Sequence, residues 1–118
     1  MGLPCSTARE PMPRLEDDGQ RVTLDLHGVT VDRALDIALA TAIEAARRGR
    51  STLRVVHGAS SYERGAERTI RSELRDAVEA GEFSRHVTTH VYDDGAILLG
   101  LAPAPRPVPG RIHLADVW

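Results

Sequence analysis

The stretch Leu24-Asp25-Leu26-His27-Gly28 decides the fold, because it ends a short β-strand predicted over residues 21–26. Side chains alternate across a strand, so the apolar residues share one face while Asp25 and His27 share the other. A second predicted strand, residues 52–56, also ends in a histidine and a glycine, His57-Gly58. Two strands that end alike predict one shared site.

The segment between these two strands has the pattern of a helix. Apolar residues recur at helical spacing from Val31 onward, Thr30 precedes them as an N-cap, and Gly49 ends the run. Strand, helix and strand form a βαβ unit, whose strands are parallel and whose crossover is right-handed. Both His-Gly pairs therefore lie at the carboxyl edge of the sheet, where α/β proteins commonly place their sites.

The remaining elements complete an α/β order. A second helix is predicted before Gly81, followed by strands over residues 86–92 and 96–101 that the hairpin signal Asp93-Asp94-Gly95 joins. The order βαβαββ predicts a two-layer α/β fold with a four-stranded mixed sheet and two helices. The buried stripe of the second helix is expected to comprise Ala66, Ile70, Leu74, Ala77 and Val78.

The chain divides into a domain and two flanking segments. Residues 1–20 contain three prolines and show no periodicity, which predicts a flexible N-terminal arm. The domain is expected over residues 21–102, and residues 103–118 form a proline-rich C-terminal tail. The apolar residues of the tail are Ile112, Leu114, Val117 and Trp118. We expect them to pack on the domain or on a second copy of the chain, and the alternative is a frayed end.

Composition narrows the class of protein. The 118 residues suit one domain, and 42% hydrophobic residues suffice for one small core. The single cysteine, Cys5, excludes an intramolecular disulfide and fits a reducing, cytoplasmic setting. No apolar run approaches the length of a membrane span, so no membrane partner is expected. The net charge of −2 argues against indiscriminate coating of nucleic acid.

The order of elements and both motifs resemble the Smr domain, the small MutS-related family of nucleases and nucleic-acid-binding modules. The resemblance covers about residues 20–102 and suggests a stand-alone, single-domain member. It rests on Leu-Asp-x-His-Gly at 24–28, on a partial His-Gly-x-Gly at 57–60 in which Ser60 replaces the second glycine, and on Asp94-Gly95 before an apolar strand. The resemblance implies a four-stranded mixed sheet with two helices packed on it, similar to the C-terminal domain of a bacterial translation initiation factor. It also implies endonuclease activity, on RNA or as nicking of DNA.

Phosphodiester cleavage requires proton transfers, and His27 is the first candidate for them, since an imidazole pKa of about 6.5 keeps both protonation states accessible. Asp25 is placed to orient that imidazole, and His57 is the third candidate catalytic residue. RNA supplies its own 2′-hydroxyl nucleophile, so no cofactor is expected for RNA cleavage. DNA would require an activated water and a divalent metal, Mg or Mn.

The loop after the second strand is the candidate phosphate site. Glycines allow close backbone approach, serine hydroxyls donate hydrogen bonds, an aromatic ring stacks on a base, and arginines stabilise the transition-state charge. The candidate substrate-binding residues are Gly28, Gly58, Ser60, Ser61, Tyr62, Arg64 and Arg68.

Other interpretations remain open at this point. Asp25 and His27 could be a turn cap and a space-filling side chain. Together with His57 they could instead form a divalent-metal site of a small hydrolase, although they lack regular ligand spacing. The chain could also be a non-catalytic module that binds RNA, DNA or a ribosomal surface. As for its own assembly, we expect a monomer or a weak dimer.

Overall fold

The computed structural model describes residues 13–26, 29–57, 69–93 and 95–117. Within these ranges the chain forms five strands and three helices. In chain order they are β1 (Arg14–Asp17), β2 (Arg21–Asp25), α1 (Val31–Arg47), β3 (Thr52–Val56), α2 (Ile70–Glu79), β4 (Val87–Tyr92), β5 (Ala96–Leu101) and α3 (Leu114–Val117).

The strands form one mixed sheet in the order β1-β2-β3-β5-β4. β2 and β3 are parallel, as the βαβ prediction required, and every other neighbouring pair is antiparallel. The connections β2–α1–β3 and β3–α2–β4 both advance across the sheet in the same direction. Because such connections are right-handed, they put α1 and α2 on one face of the sheet, where the two helices also contact each other. No described helix covers the opposite face, which we call the open face.

The expectation of four strands and two helices needs correction. β1 lies within residues 1–20, which were expected to form a flexible arm, and α3 lies within the proline-rich tail. Both elements have only four residues, too few for a periodic pattern to stand out in the sequence. β1 forms because it pairs with the exposed edge of β2, in the register Leu15 opposite Leu24. The mixed α/β class itself is confirmed.

The core lies between the sheet and the helices. Alternate residues of β2, β3 and β5 are almost fully buried, as are the alanines along the inner side of α1. Burying one leucine side chain contributes about 1.5–3 kcal/mol, so this layer supplies most of the stability of the domain. Its largest fully buried apolar side chains are Leu24, Leu26, Leu53, Leu74, Ile97 and Leu99.

The helix boundaries follow local signals. Thr30 is the N-cap of α1, as predicted, although its side chain makes no capping hydrogen bond. α2 begins at Ile70 behind a capping box, in which the Thr69 hydroxyl accepts from the Ser72 N–H and the Ser72 hydroxyl accepts from the Thr69 N–H. Of the predicted α2 stripe, Leu74 and Ala77 are buried, Ile70 and Val78 pack at the edge of the core, and Ala66 lies outside the described residues.

A buried ion pair between β1 and the connection from α1 to β3 also holds the C-terminal tail. The Asp17 carboxylate, whose side chain is 0% exposed, accepts two hydrogen bonds from the Arg50 guanidinium at 2.7 and 2.8 Å. It also accepts from the N–H groups of Gly19 and Ile112 at 2.9 and 2.8 Å. Arg50 in turn donates to the Gly110 carbonyl at 2.8 Å. The tail is thereby held on the domain, and Ile112 is buried in the core.

Among the described residues, no helix is long and apolar enough to cross a membrane.

Candidate active site at the carboxyl edge of the sheet

The ends of β2 and β3 lie side by side, as the sequence predicts. Asp25 is the register partner of Val56, and the Leu26 N–H donates to the Val56 carbonyl at 2.8 Å. The next residue of β3, His57, continues the sheet on its other side, because its N–H donates to the Gly95 carbonyl at 2.9 Å. The fold therefore brings Asp25 and His57 to the same edge from two adjacent parallel strands.

The two side chains approach this edge from opposite faces. Asp25 alternates with the buried Leu24 and Leu26, so it lies on the open face and is half-buried. His57 follows Val55 by two residues, which puts it on the helix side, and it is only 8% exposed. Asp25 is thus the accessible group of the pair, while the buried imidazole is suited to holding the strand end in place.

Arg14 is a neighbour of Asp25 that sequence reasoning missed. It stands directly opposite Asp25 in the antiparallel register of β1 and β2, so both side chains project from the open face. The guanidinium supplies positive charge beside the carboxylate at the candidate site. The alternation in Arg14-Leu15-Glu16 is the only signal that could have revealed this strand, and it spans too few residues to be distinctive.

The amino end of α1 lies at the same edge of the sheet. The Val29 N–H donates to the Leu26 carbonyl at 3.0 Å, and α1 starts two residues later. The unpaired N–H groups of a helix's first turn favour an anion, so the start of α1 adds positive potential near the strand ends. This helix end also carries Asp32, which offsets part of that potential.

Most of the predicted substrate-contacting residues lie outside the described part of the chain, as does the catalytic candidate His27. Of the ten site residues predicted from sequence, the structure describes Asp25 and His57. The other eight are His27, Gly28, Gly58, Ser60, Ser61, Tyr62, Arg64 and Arg68.

The described residues contain no group of three or more His, Cys, Asp or Glu side chains that could hold a metal ion. Asp25 and His57 are two of the three members of the alternative metal site. Its third member, His27, is one of the residues that the structure does not describe.

Comparison with known families matches residues 24–97 of the 118 to the Smr domain model. This range begins at the first signature and runs into β5. Comparison with curated proteins and with solved structures gives no significant match. Smr domains are known for nucleic-acid binding and nicking endonuclease activity. Since the model covers well over half of the chain and both signature motifs, this protein belongs to the Smr domain family.

Proposed function

We propose that this protein is an endonuclease that cleaves phosphodiester bonds at the carboxyl edge of its sheet, with RNA favoured over DNA. One observation carries the proposal: Asp25 of the first signature and His57 of the second end adjacent parallel strands in a chain that matches the Smr domain. The first motif starts at residue 24 and the second starts 33 residues later, at residue 57, and only the βαβ crossover brings them together.

In the proposed reaction, His27 takes the proton from the 2′-hydroxyl of RNA, which attacks the neighbouring phosphate. Asp25 lies on the open face and orients or strengthens this base, and a protonated imidazole then supplies the proton for the leaving oxygen. The loop over residues 57–64 and Arg68 hold the phosphate and stabilise its developing charge. His57 acts from the buried side by fixing the strand end from which this loop departs.

An alternative is a binding module that recognises nucleic acid or a ribosomal surface without cleaving it. Two observations favour it. Ser60 stands where the second glycine of the signature is usual, and the His57 side chain is buried rather than open to substrate. A module of this kind would use the same edge for binding, so the distinction between the two functions lies in turnover.

The decisive experiment measures cleavage of end-labelled single-stranded RNA, duplex RNA, and linear and branched DNA, each with EDTA or with magnesium. We expect wild-type protein to cleave RNA in EDTA, and His27→Ala and Asp25→Asn to bind RNA but lose cleavage. His113→Ala is the matched control, because this histidine is 73% exposed in the tail, and it should cleave normally.

Three outcomes would contradict the proposal. If wild type and His27→Ala bind equally and neither cleaves, the protein is a binding module. If cleavage occurs only with magnesium, the metal-independent route through the 2′-hydroxyl is wrong. If His27→Ala cleaves at the wild-type rate, the base has been assigned to the wrong residue.

A further inference from the structure

The open face of the sheet, which begins at Asp25, carries three arginines in an ordered arrangement. Strand register divides the face into three successive rows across the sheet, about 6.6 Å apart at two residues of strand rise. One arginine lies in each row. The rows are Arg14-Asp25-Val56-Ala96, then Glu16-Thr23-Arg54-Leu98-Val91, and then Arg21-Thr52-Gly100-Thr89.

Contacts and burial on both halves of the sheet show which side chains project from the open face. On β2 and β3, Thr23, Arg54 and Val56 alternate with residues that are buried under the helices. On β4, the Tyr92 hydroxyl donates to the Glu79 carboxylate of α2 at 2.7 Å, so Tyr92 lies on the helix side. Its neighbour Val91 therefore projects from the open face, where it is 61% exposed.

The three guanidinium groups are available to a ligand. Within the described residues, Arg14, Arg21 and Arg54 make no ion pair and no side-chain hydrogen bond. This contrasts with Arg48 and Arg50 on the helix side, which form close ion pairs at 2.7 Å. On strands β1, β2 and β3 two carboxylates, Glu16 and Asp25, share the open face with the arginines, so this part of the face is positive by one charge. Asp93, which follows β4 opposite Ala96, lies at the far edge of the sheet from them.

Charge and hydrophobicity are separated across the face. The arginines stand on β1, β2 and β3, whereas Val56, Leu98 and Val91 form an apolar strip on β3, β5 and β4. A single-stranded nucleic acid has the same division, with phosphates along one side and base faces along the other. No described aromatic ring lies on this face, so base contacts are with aliphatic side chains and phosphate contacts dominate affinity.

We infer that the open face is a track for single-stranded nucleic acid, which leads from the reacting phosphate beside Asp25 across Arg14, Arg54 and Arg21. This deepens the proposed function, on which it rests, by naming the surface that holds the strand next to the scissile bond. The track spans about 13 Å along the strands, enough for a few nucleotides. We expect the track to bind without sequence specificity, because it contacts phosphates and the faces of the bases, which all nucleotides present.

The test measures binding of a fluorescent ten-nucleotide 2′-O-methyl oligouridylate, which lacks the attacking hydroxyl, at several salt concentrations. Each phosphate contact contributes about 0.7 to the slope of log affinity against log salt for a single strand. Arg54→Gln should therefore lower the slope by about 0.7, and the triple variant R14Q/R21Q/R54Q by about 2. A fourfold rise in salt then costs wild type about twentyfold more affinity than it costs the triple variant.

Three further variants separate charge from packing. Arg106→Gln removes the same charge from the exposed tail beside α1, on the helix side, and should leave the slope unchanged. Glu16→Gln removes a repulsive charge from the track and should strengthen binding. Val91→Ser should weaken binding at high salt, where phosphate contacts are screened, without changing the slope.

Cleavage of RNA measured in parallel separates this inference from the proposed function. If the triple variant has the wild-type slope while wild type cleaves RNA, the track is wrong and the catalytic proposal stands. If the slope falls as expected but wild type cleaves nothing, the track stands and catalysis fails. If the arginine variants bind normally while Val91→Asp converts a dimer to a monomer in gel filtration, the open face is a protein interface and the track is refuted.

Discussion

Replacing Asp17 by asparagine should remove a large part of the stability of this domain. The carboxylate is fully buried and accepts four hydrogen bonds, two of them from Arg50, whose side chain is 11% exposed. Breaking a buried pair by removing one partner costs about 3–5 kcal/mol. The lower end applies, about 3 kcal/mol, because Arg50 keeps the carbonyl groups of Arg48 and Gly110 as acceptors.

The assay is urea unfolding followed by circular dichroism, with thermal melting as a second readout. Wild type, Asp17→Asn, Arg50→Met and the double variant form a thermodynamic cycle. Each single variant should lower the free energy of unfolding by about 3 kcal/mol, and a loss of this size lowers the melting temperature by about 12 °C. The double variant should cost about as much as one single change, because the two side chains act as a unit.

Arg47→Met is the matched control. Arg47 lies 3.5 Å from Glu44, but its side chain is 56% exposed, so removing this pair should cost less than about 0.5 kcal/mol. The reasoning is refuted if Asp17→Asn costs less than about 1 kcal/mol, the range of an exposed pair. It is also refuted if the loss of unfolding free energy in the double variant equals the sum of the two single losses, since Asp17 and Arg50 would then not be energetically coupled.

Three other consequences are open to measurement. Burial alone would raise the pKa of Asp17, but hydrogen bonds from Arg50, Ile112 and Gly19 outweigh it and hold that pKa well below its usual range. The ion pair therefore stabilises the fold fully above the unfolded-state pKa of about 3.9. As the pH falls below about 4, the free energy of unfolding of wild type should decrease more steeply than that of Asp17→Asn. Thr69→Ala breaks the capping box of α2 and should cost about 1 kcal/mol in urea unfolding, whereas Thr69→Ser should restore most of it; equal stability of both variants would contradict the role of the cap. Gly100→Ala puts a methyl group against the Thr89 hydroxyl and should cost about 1–3 kcal/mol, which Thr89→Ala should recover if this contact is the cause.

The sequence alone predicted the elements that have strong local patterns. β3 and β5 were predicted at their observed bounds, and α1 begins behind the predicted cap. In these elements apolar residues recur at regular spacing over many positions, or clear turn residues flank the element. Such patterns depend only on residues that are close in sequence. The Smr resemblance, which the family comparison confirms, came from the same short-range information in two motifs.

The four-residue elements were beyond this kind of reasoning. The alternation within β1 spans too few residues to be distinctive, and the strand forms because β2 offers an unpaired edge. The tail is held in the same way, since its contact with Asp17 joins residues 95 positions apart. A contact of this separation depends on how the whole intervening chain packs, so no local stretch of sequence reveals it.

The same division applies to the candidate site. The sequence by itself supplied the candidate catalytic residues, and it predicted from the parallel βαβ unit that Asp25 and His57 share one edge. Only the tertiary structure decided that His57 is buried on the helix side, that Asp25 is on the open face, and that Arg14 stands opposite it. The physical reason is that residue type and spacing are properties of the chain, whereas exposure and cross-strand neighbours depend on how the whole sheet pairs and packs.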